Sequence, residues 1–495
     1  MTDTATGRWT SSRFVLAITK HNAVFWIVLI AVFALARLAT WGFPFDSDHW
    51  IFYYVGRNWI VEGGDLYVDA WGHKPPMIFL MNGIMAALFG DDIVLHRIWL
   101  TAFAVLDTWL FYLVAKQVLP GLLQGVRSRI DADTAIKLSV LLYAFVRNLS
   151  QFTNSGNNTE AYGLVLVLLL VLAYLRYSRT GGWWWIVLAG LPCGVLFWFK
   201  ANFLIFGAIV GVLMIVHGWR KPGRLILHVL AYIAPIILVA LGWFAYFAAQ
   251  GTFDDFWLAS FGFSAKYASS AWGGSVSSNI WLFVTTGALL VPALVFFVVY
   301  LRDVKTQWRE PSYQLVGLMF LAGIVLIGAV GSFYAYYLLV TMPFTVLVIM
   351  YGMLRVGSLP RALRVILILG LVATLAVNYA FSTRQLLNSF TGDAHRDALE
   401  QQQAADYVRE HTEPGDRIYA NDYGATFYQL ADRRSASRFI SSSVLLLDFR
   451  DGFGFGFNDI FIEEMERNHA PYVIVGAGTA ELYATNTQLD EYFSE

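Results

Sequence analysis

The feature that most constrains this chain is the length of its apolar blocks. From Asn22 onward, stretches of roughly 17–25 apolar residues alternate with short connectors bearing Arg or Lys, and a helix of that length covers a hydrocarbon core of about 30 Å. In lipid each block must satisfy its backbone internally, which favours helices. Composition agrees: 57% of the 495 residues are hydrophobic and 14% are charged, against about 25% charged in soluble domains. A net charge of -1 argues against a nucleic-acid partner, which would require a concentrated basic surface. The single Cys193 lies inside an apolar block, so it builds neither a disulfide framework nor a cysteine metal site.

The first block, Asn22 to Trp41, follows Arg8, Arg13 and Lys20 and reads as a retained span with a cytoplasmic N-terminus. Phe43 to Pro76 is then external. Met77 to Gly90 offers only about 14 apolar residues, too few to cross comfortably. If it lies along the interface, the next block (93–118) delivers Arg127 and Arg129 to the cytoplasmic side, as the charge rule requires. Further spans at 136–153, 161–178, 183–199, 201–217, 226–249, 279–301, 313–331, 334–353 and 362–383 bring the total to about eleven. They place Arg176/Arg179, Arg220/Lys221/Arg224, Arg302/Lys305/Arg309 and Arg355/Arg361/Arg364 on that same side. Asn154 to Glu160, Thr252 to Ser278 and everything after Phe381 fall outside.

The chain therefore divides into a polytopic α-helical membrane domain, 1–383, whose first external loop is 43–92, and an extracytoplasmic tail, 384–495. The tail reads as a small α/β domain. A polar helix (Asp397 to His411), strands at Arg417 to Ala420 and Tyr472 to Val475, and a helix at Asn458 to Asn468 alternate in it. Gly452, Gly454 and Gly456 interleave with Phe and lack the strand-to-helix setting of a dinucleotide fingerprint.

The first external loop concentrates the chemistry. Phe43-Pro44-Phe45-Asp46-Ser47-Asp48-His49-Trp50 sets two carboxylates just beyond a span, and Trp71-Gly72-His73-Lys74-Pro75-Pro76 fixes a cation at the same interface through two stiff prolines. Between them, Trp50 to Val61 suits a helix lying in the headgroup layer. A carboxylate can take a proton from an attacking hydroxyl, and a fixed cation can offset charge on a departing phosphate. One loop thus holds a base, at Asp46 or Asp48, and an anion holder, at Lys74. His73 and Lys74 also suit headgroup anchoring. Arg97, opening a span on the outer side, fits a phosphate contact or an internal ion pair. Arg37 suits snorkelling to the interface, Lys200 calls for a carboxylate or carbonyl partner, and the segment with Lys266 and Tyr267 fits a donor lid or interfacial packing.

Asp48, the spacing to Glu62-Gly63-Gly64-Asp65-Leu66-Tyr67, His73-Lys74-Pro75-Pro76 and Leu88-Phe89-Gly90 resemble the GT-C membrane glycosyltransferases of the protein-mannosyltransferase and aminoarabinose-transferase type. The resemblance extends over nearly the whole chain through Asn158-Thr159-Glu160, Lys200, Gly331-Ser332-Phe333-Tyr334-Ala335-Tyr336-Tyr337, Ala405 to Glu410 and Pro414-Gly415-Asp416. It implies a GT-C fold, a first-loop aspartate as base (Asp48 by its spacing to Gly63-Gly64, with Asp46 the alternative), a polyprenyl-phosphate sugar as donor and inversion at the anomeric carbon. It also implies a hydroxyl acceptor on a glycan, lipid or protein, membrane lipids as surroundings, and a cell-envelope role in the bacterial plasma membrane. Donor phosphate contacts are expected from Lys74, His73 and Arg97, with Glu160, Tyr336, Tyr337 and Lys266 as further site residues. A divalent metal, if present, would fall to Asp46, Asp48 and Glu160. The Asp-Ser-Asp-His run departs from the family's usual Asp-Glu pair, and Tyr336 stands where histidine is frequent. The rival class is a transporter or lipid-linked sugar translocase, which would want charges and broken helices near the midplane.

Overall fold

A computed structural model describes residues 21–41, 45–124, 130–271, 289–328, 334–356, 359–420, 424–450, 452–474, 489 and 491–492. Phe43, Pro44, Arg127, Arg129, Gly331 to Phe333 and the start of the 279–301 block lie outside these. Among the described residues, six helical segments are long and apolar enough to cross a membrane: Ile93–Leu122, Thr159–Thr180, Ala201–Gly218, Pro222–Gln250, Ala335–Arg355 and Arg361–Thr391. Shorter apolar helices include Asn22–Leu38, Trp183–Phe199, Leu290–Leu301 and Pro311–Ile327. The chain is a multi-pass membrane protein. Exposure fits that solvent: Ala335–Arg355 is almost wholly enclosed, whereas Pro222–Gln250 and Arg361–Thr391 turn Leu227, Leu238, Ile366 and Leu369 outward. Apolar faces of that extent need lipid to cover them.

Two expectations inside the bundle require correction. The 136–153 block is not one helix, since Ala132–Arg147 stops at Asn148 and a single turn, Ser150–Thr153, follows. Arg147 is buried and paired to Asp107 at 2.7 Å. Beyond it, the backbone and side chain of Ser150 bond Ser382 at 3.0 and 3.1 Å. Polar residues at this depth persist only where protein partners receive them. Nor does Arg37 snorkel: it is 4% exposed, with Nε donating to Thr101 at 3.3 Å.

The first loop folds as two 14-residue helices, Ser47–Ile60 and Pro76–Phe89. Each is about 21 Å long, short of a bilayer core. They cross at a glycine pair. A Cβ on Gly56 would meet Gly83 N at 2.6 Å, and one on Gly83 would meet Gly56 O at 2.6 Å. This backbone contact fixes the helix carrying Asp48 against the helix that Lys74 leads into.

The tail holds a three-stranded parallel sheet in the order β2-β1-β3, with β1 Arg417–Ala420, β2 Arg434–Ser435 and β3 Val473–Ile474. Parallel neighbours need crossovers. Gly424–Ala431 connects β1 to β2, and Phe457–Asn468 lies on the way to β3. The polar helix is Asp393–Glu410, entered almost directly from Arg361–Thr391, which runs past the expected span end at 383. The tail sits on the first loop: Trp71 N donates to Arg438 O at 2.9 Å, and Ser435 N to the Tyr54 hydroxyl at 2.9 Å.

Candidate active site

The two aspartates of the first loop have different surroundings because a helix begins between them. Asp46 is the N-cap of Ser47–Ile60, accepting from His49 N at 3.0 Å, the usual use of a carboxylate at that position. Its carboxylate also accepts from Ser155 Oγ at 2.8 Å and from the Asn154 amide. Burial, then the nearby Asp48 charge, push its carboxyl up to about 6, against the pull of these donors. Asp46 thus ties the first loop to the 154–158 turn.

Asp48, one turn further along, is half-buried and has no hydrogen bond or ion pair to its carboxylate among the described residues. It lines a narrow cavity together with Trp71, His73 and Lys74 of its own loop. Phe439, Ile440 and Val444 of the tail form the opposite wall. Burial raises the Asp48 carboxyl above its ordinary value; the Lys74 charge opposes that rise, the Glu160 charge adds to it and Lys200 opposes it. A raised carboxyl is what general-base work near neutrality favours.

Lys74 leaves its ammonium without a hydrogen bond or ion pair among the described residues, while its carbonyl accepts from Tyr67 Oη at 2.8 Å. That bond and Ser264 Oγ on the His73 carbonyl at 3.1 Å hold the His-Lys-Pro-Pro turn by its backbone. His73 is not a cation. Burial, then the Lys74 charge, push its imidazole down to about 3, and its ring lies 5.4 Å from Phe263 and 5.8 Å from Tyr267. Toward a phosphate it offers an N–H at most.

A second polar group faces Asp48 from the bundle. Lys200 Nζ meets Glu160 Oε1 at 2.8 Å, the carboxylate partner that its place between two apolar segments demands, and Thr159 Oγ1 donates to Glu160 Oε2 at 2.8 Å. The same ammonium stands 3.7 Å over the Tyr337 ring, a cation–π contact that Tyr336 extends at 5.0 Å between rings. Tyr336, Tyr337 and Tyr267 all lie within range of the Asp48 charge.

The remaining candidates stand elsewhere. Arg97 is buried, donates to Thr40 O at 2.9 Å and stacks 3.8 Å over Phe45, behind Asp46. Lys266 turns to the tail, where it bonds Phe453 O and lies 4.8 Å over Phe455. Asp46, Asp48 and Glu160 do not converge: among the described residues no three His, Cys, Asp or Glu side chains gather closely enough for a metal. The sequence did not identify the tail wall, because Phe439 to Val444 carry no motif. Nor did it identify Lys200 as a neighbour of Asp48, although its lone charge was the available signal.

No family model and no curated protein sequence matches this chain. Solved structures do. ArnT from Cupriavidus metallidurans bound to undecaprenyl phosphate is 14% identical, with a TM-score of 0.51 over 83% of this chain and 85% of that one. The apo state of the same protein, also 14% identical, gives 0.55 over 84% and 86%. At that identity the likeness is one of fold: the chain has the GT-C fold of these ArnT structures.

Proposed function

We propose that this protein is an inverting glycosyltransferase of the bacterial plasma membrane, moving a sugar from a polyprenyl-phosphate donor to a hydroxyl acceptor at the outer face. One observation carries the reading: Asp48 and Lys74 share a cavity wall, and neither charged group has a hydrogen bond or ion pair among the described residues. An idle carboxylate and an idle ammonium at such a place are expensive, and a reaction that deposits a proton on one and a phosphate beside the other uses both. The acceptor oxygen forms its bond to the anomeric carbon from the face opposite the phosphate, and Asp48 takes the hydroxyl proton. The bond to the phosphate oxygen breaks with its electron pair, and Lys74 offsets the resulting charge. No carboxylic acid is needed to protonate that leaving group. The undecaprenyl phosphate held by the ArnT structure supports a lipid phosphate as the leaving group. The N-terminus is then cytoplasmic and the tail extracytoplasmic, by the charge rule.

The translocase reading draws on the buried Asp107–Arg147 pair, at 2.7 Å with Tyr143 Oη donating to Asp107 at 3.0 Å. Its two charges pair with each other, and Arg147 Nη1 is buried without a hydrogen-bond partner among the described residues. Purified protein in vesicles, given a panel of labelled polyprenyl-phosphate hexoses and pentoses with and without envelope extract, separates the two. Transferase action releases polyprenyl phosphate in step with a new glycosidic bond of inverted configuration. Lipid crossing the vesicle wall with no acceptor and no release contradicts it.

A further inference from the structure

The helix Thr159–Thr180, which carries Glu160 in its first turn, runs about 33 Å through the bundle, and Trp183–Phe199 returns from that far end to Lys200. At the far end, on the side opposite Asp48, a cavity of about 470 Å³ opens among Thr159–Thr180, Leu204–Gly218 and Pro222–Gln250. Arg220, Lys221 and Arg224 line it, and among the described residues no carboxylate does. A positive-inside bias alone accounts for basic residues here, but not for the way they are left. Elsewhere in the bundle, Lys137 meets Asp133 at 2.6 Å and Arg355 meets Asp303 at 2.7 Å. Arg220 and Lys221 have no acidic partner among the described residues, and Arg224 reaches only the Gly181 carbonyl, at 3.1 Å.

Two histidines complete the lining. Tyr174 Oη lies 3.2 Å from His217 Nδ1, and Tyr177 Oη lies 2.6 Å from His228 Nδ1. A hydroxyl donating to Nδ1 sets the tautomer that carries its proton on Nε2. Neither Nε2 has a hydrogen-bond partner among the described residues. Three cations and two imidazole rings around a hollow of this volume, at the end of a membrane helix, match the chemistry of a phosphate group at the lipid–water boundary.

We propose that this cavity is an anion site for a phosphate group in the leaflet opposite the Asp48 site, supplied by an anionic lipid headgroup or by a soluble phosphate. It is independent of the transferase reading.

The test is native mass spectrometry of the detergent-purified full chain with phosphatidylglycerol, phosphatidylcholine and inorganic phosphate. Two double variants are compared, R220Q/K221Q in the cavity and R302Q/K305Q on a neighbouring connector. All four residues are exposed, and wild-type melting of both variants confirms that each folds. The expected result is preferential phosphatidylglycerol binding that falls roughly tenfold or more in R220Q/K221Q and persists in R302Q/K305Q. Phosphatidylglycerol bound but not displaced by inorganic phosphate assigns the site to a headgroup. Phosphate binding with the same variant dependence assigns it to a soluble anion. Equal binding of the two lipids with no bound phosphate, retention in R220Q/K221Q, or equal loss in both variants overturns the proposal.

Discussion

At the residue scale, Asp46 and Asp48 are separated by the start of a helix. Asp46 faces backward onto donors and Asp48 faces a cavity. Because the Asp46 carboxyl is held at about 6 against about 3.9 in an unfolded chain, the native state binds the extra proton between those values. Stability from this group therefore falls as pH rises through that window and stays low above it. Asp46→Asn, which keeps the cap, is expected to flatten the wild-type decline in melting temperature between pH 4 and 6. Asp48 works ionised, so its raised carboxyl places the acid limb of kcat/KM above the ordinary carboxylate range. Lys74 opposes that rise. Lys74→Gln is accordingly expected to lower kcat and move the acid limb to still higher pH, and an unmoved limb would separate the two groups. The juxtaposition of Asp48 and Lys74 was legible in their shared loop, and the base role proposed for Asp48 rests on its spacing to the Gly63-Gly64 turn. The neutral state of His73 was not, because it depends on Phe263 and Tyr267, which are distant in sequence.

At the scale of elements, the site is held by the crossing of two half-length helices. Gly56→Ala sets a methyl against Gly83 N and the Phe79 carbonyl, backbone atoms that cannot rotate away. The expected cost is about 1–3 kcal/mol, read as a lower melting temperature, with turnover reduced because Asp48 and Lys74 lie on the two arms of that crossing. Block length made the short helix at 77–90 legible in the sequence, and its interfacial placement rests on the charge count. The same tools missed the break after Arg147, because hydropathy is local and the partner that holds Arg147 in the bundle, Asp107, lies 40 residues away. Similarly, the 334–353 block begins as a 3-10 turn, Ala335–Thr341, tightly packed over Gly323. A hydropathy window cannot register such a contact.

At the scale of the whole molecule, the membrane domain and the tail close over one cavity. Trp71 is the wedge between them, with ring contacts to Phe263 at 5.1 Å, Phe439 at 5.9 Å and Phe457 at 5.2 Å. Trp71→Ala is expected to cost about 3–5 kcal/mol and to expose the tail to limited proteolysis that leaves the wild type intact. The tail's α/β character was legible from alternating strand and helix patterns. Its docking was not, since it depends on backbone bonds such as Trp71 N to Arg438 O that no side-chain pattern encodes. In the proposed reaction Asp48 is the base of a sugar transfer from a lipid phosphate. Its most direct test is donor binding and single-turnover transfer, measured side by side for wild type and Asp48→Asn with the polyprenyl-phosphate sugar that the panel selects. The expected result is donor affinity within a few-fold of wild type and transfer slower by about 10²–10⁴. Wild-type transfer in Asp48→Asn would contradict it.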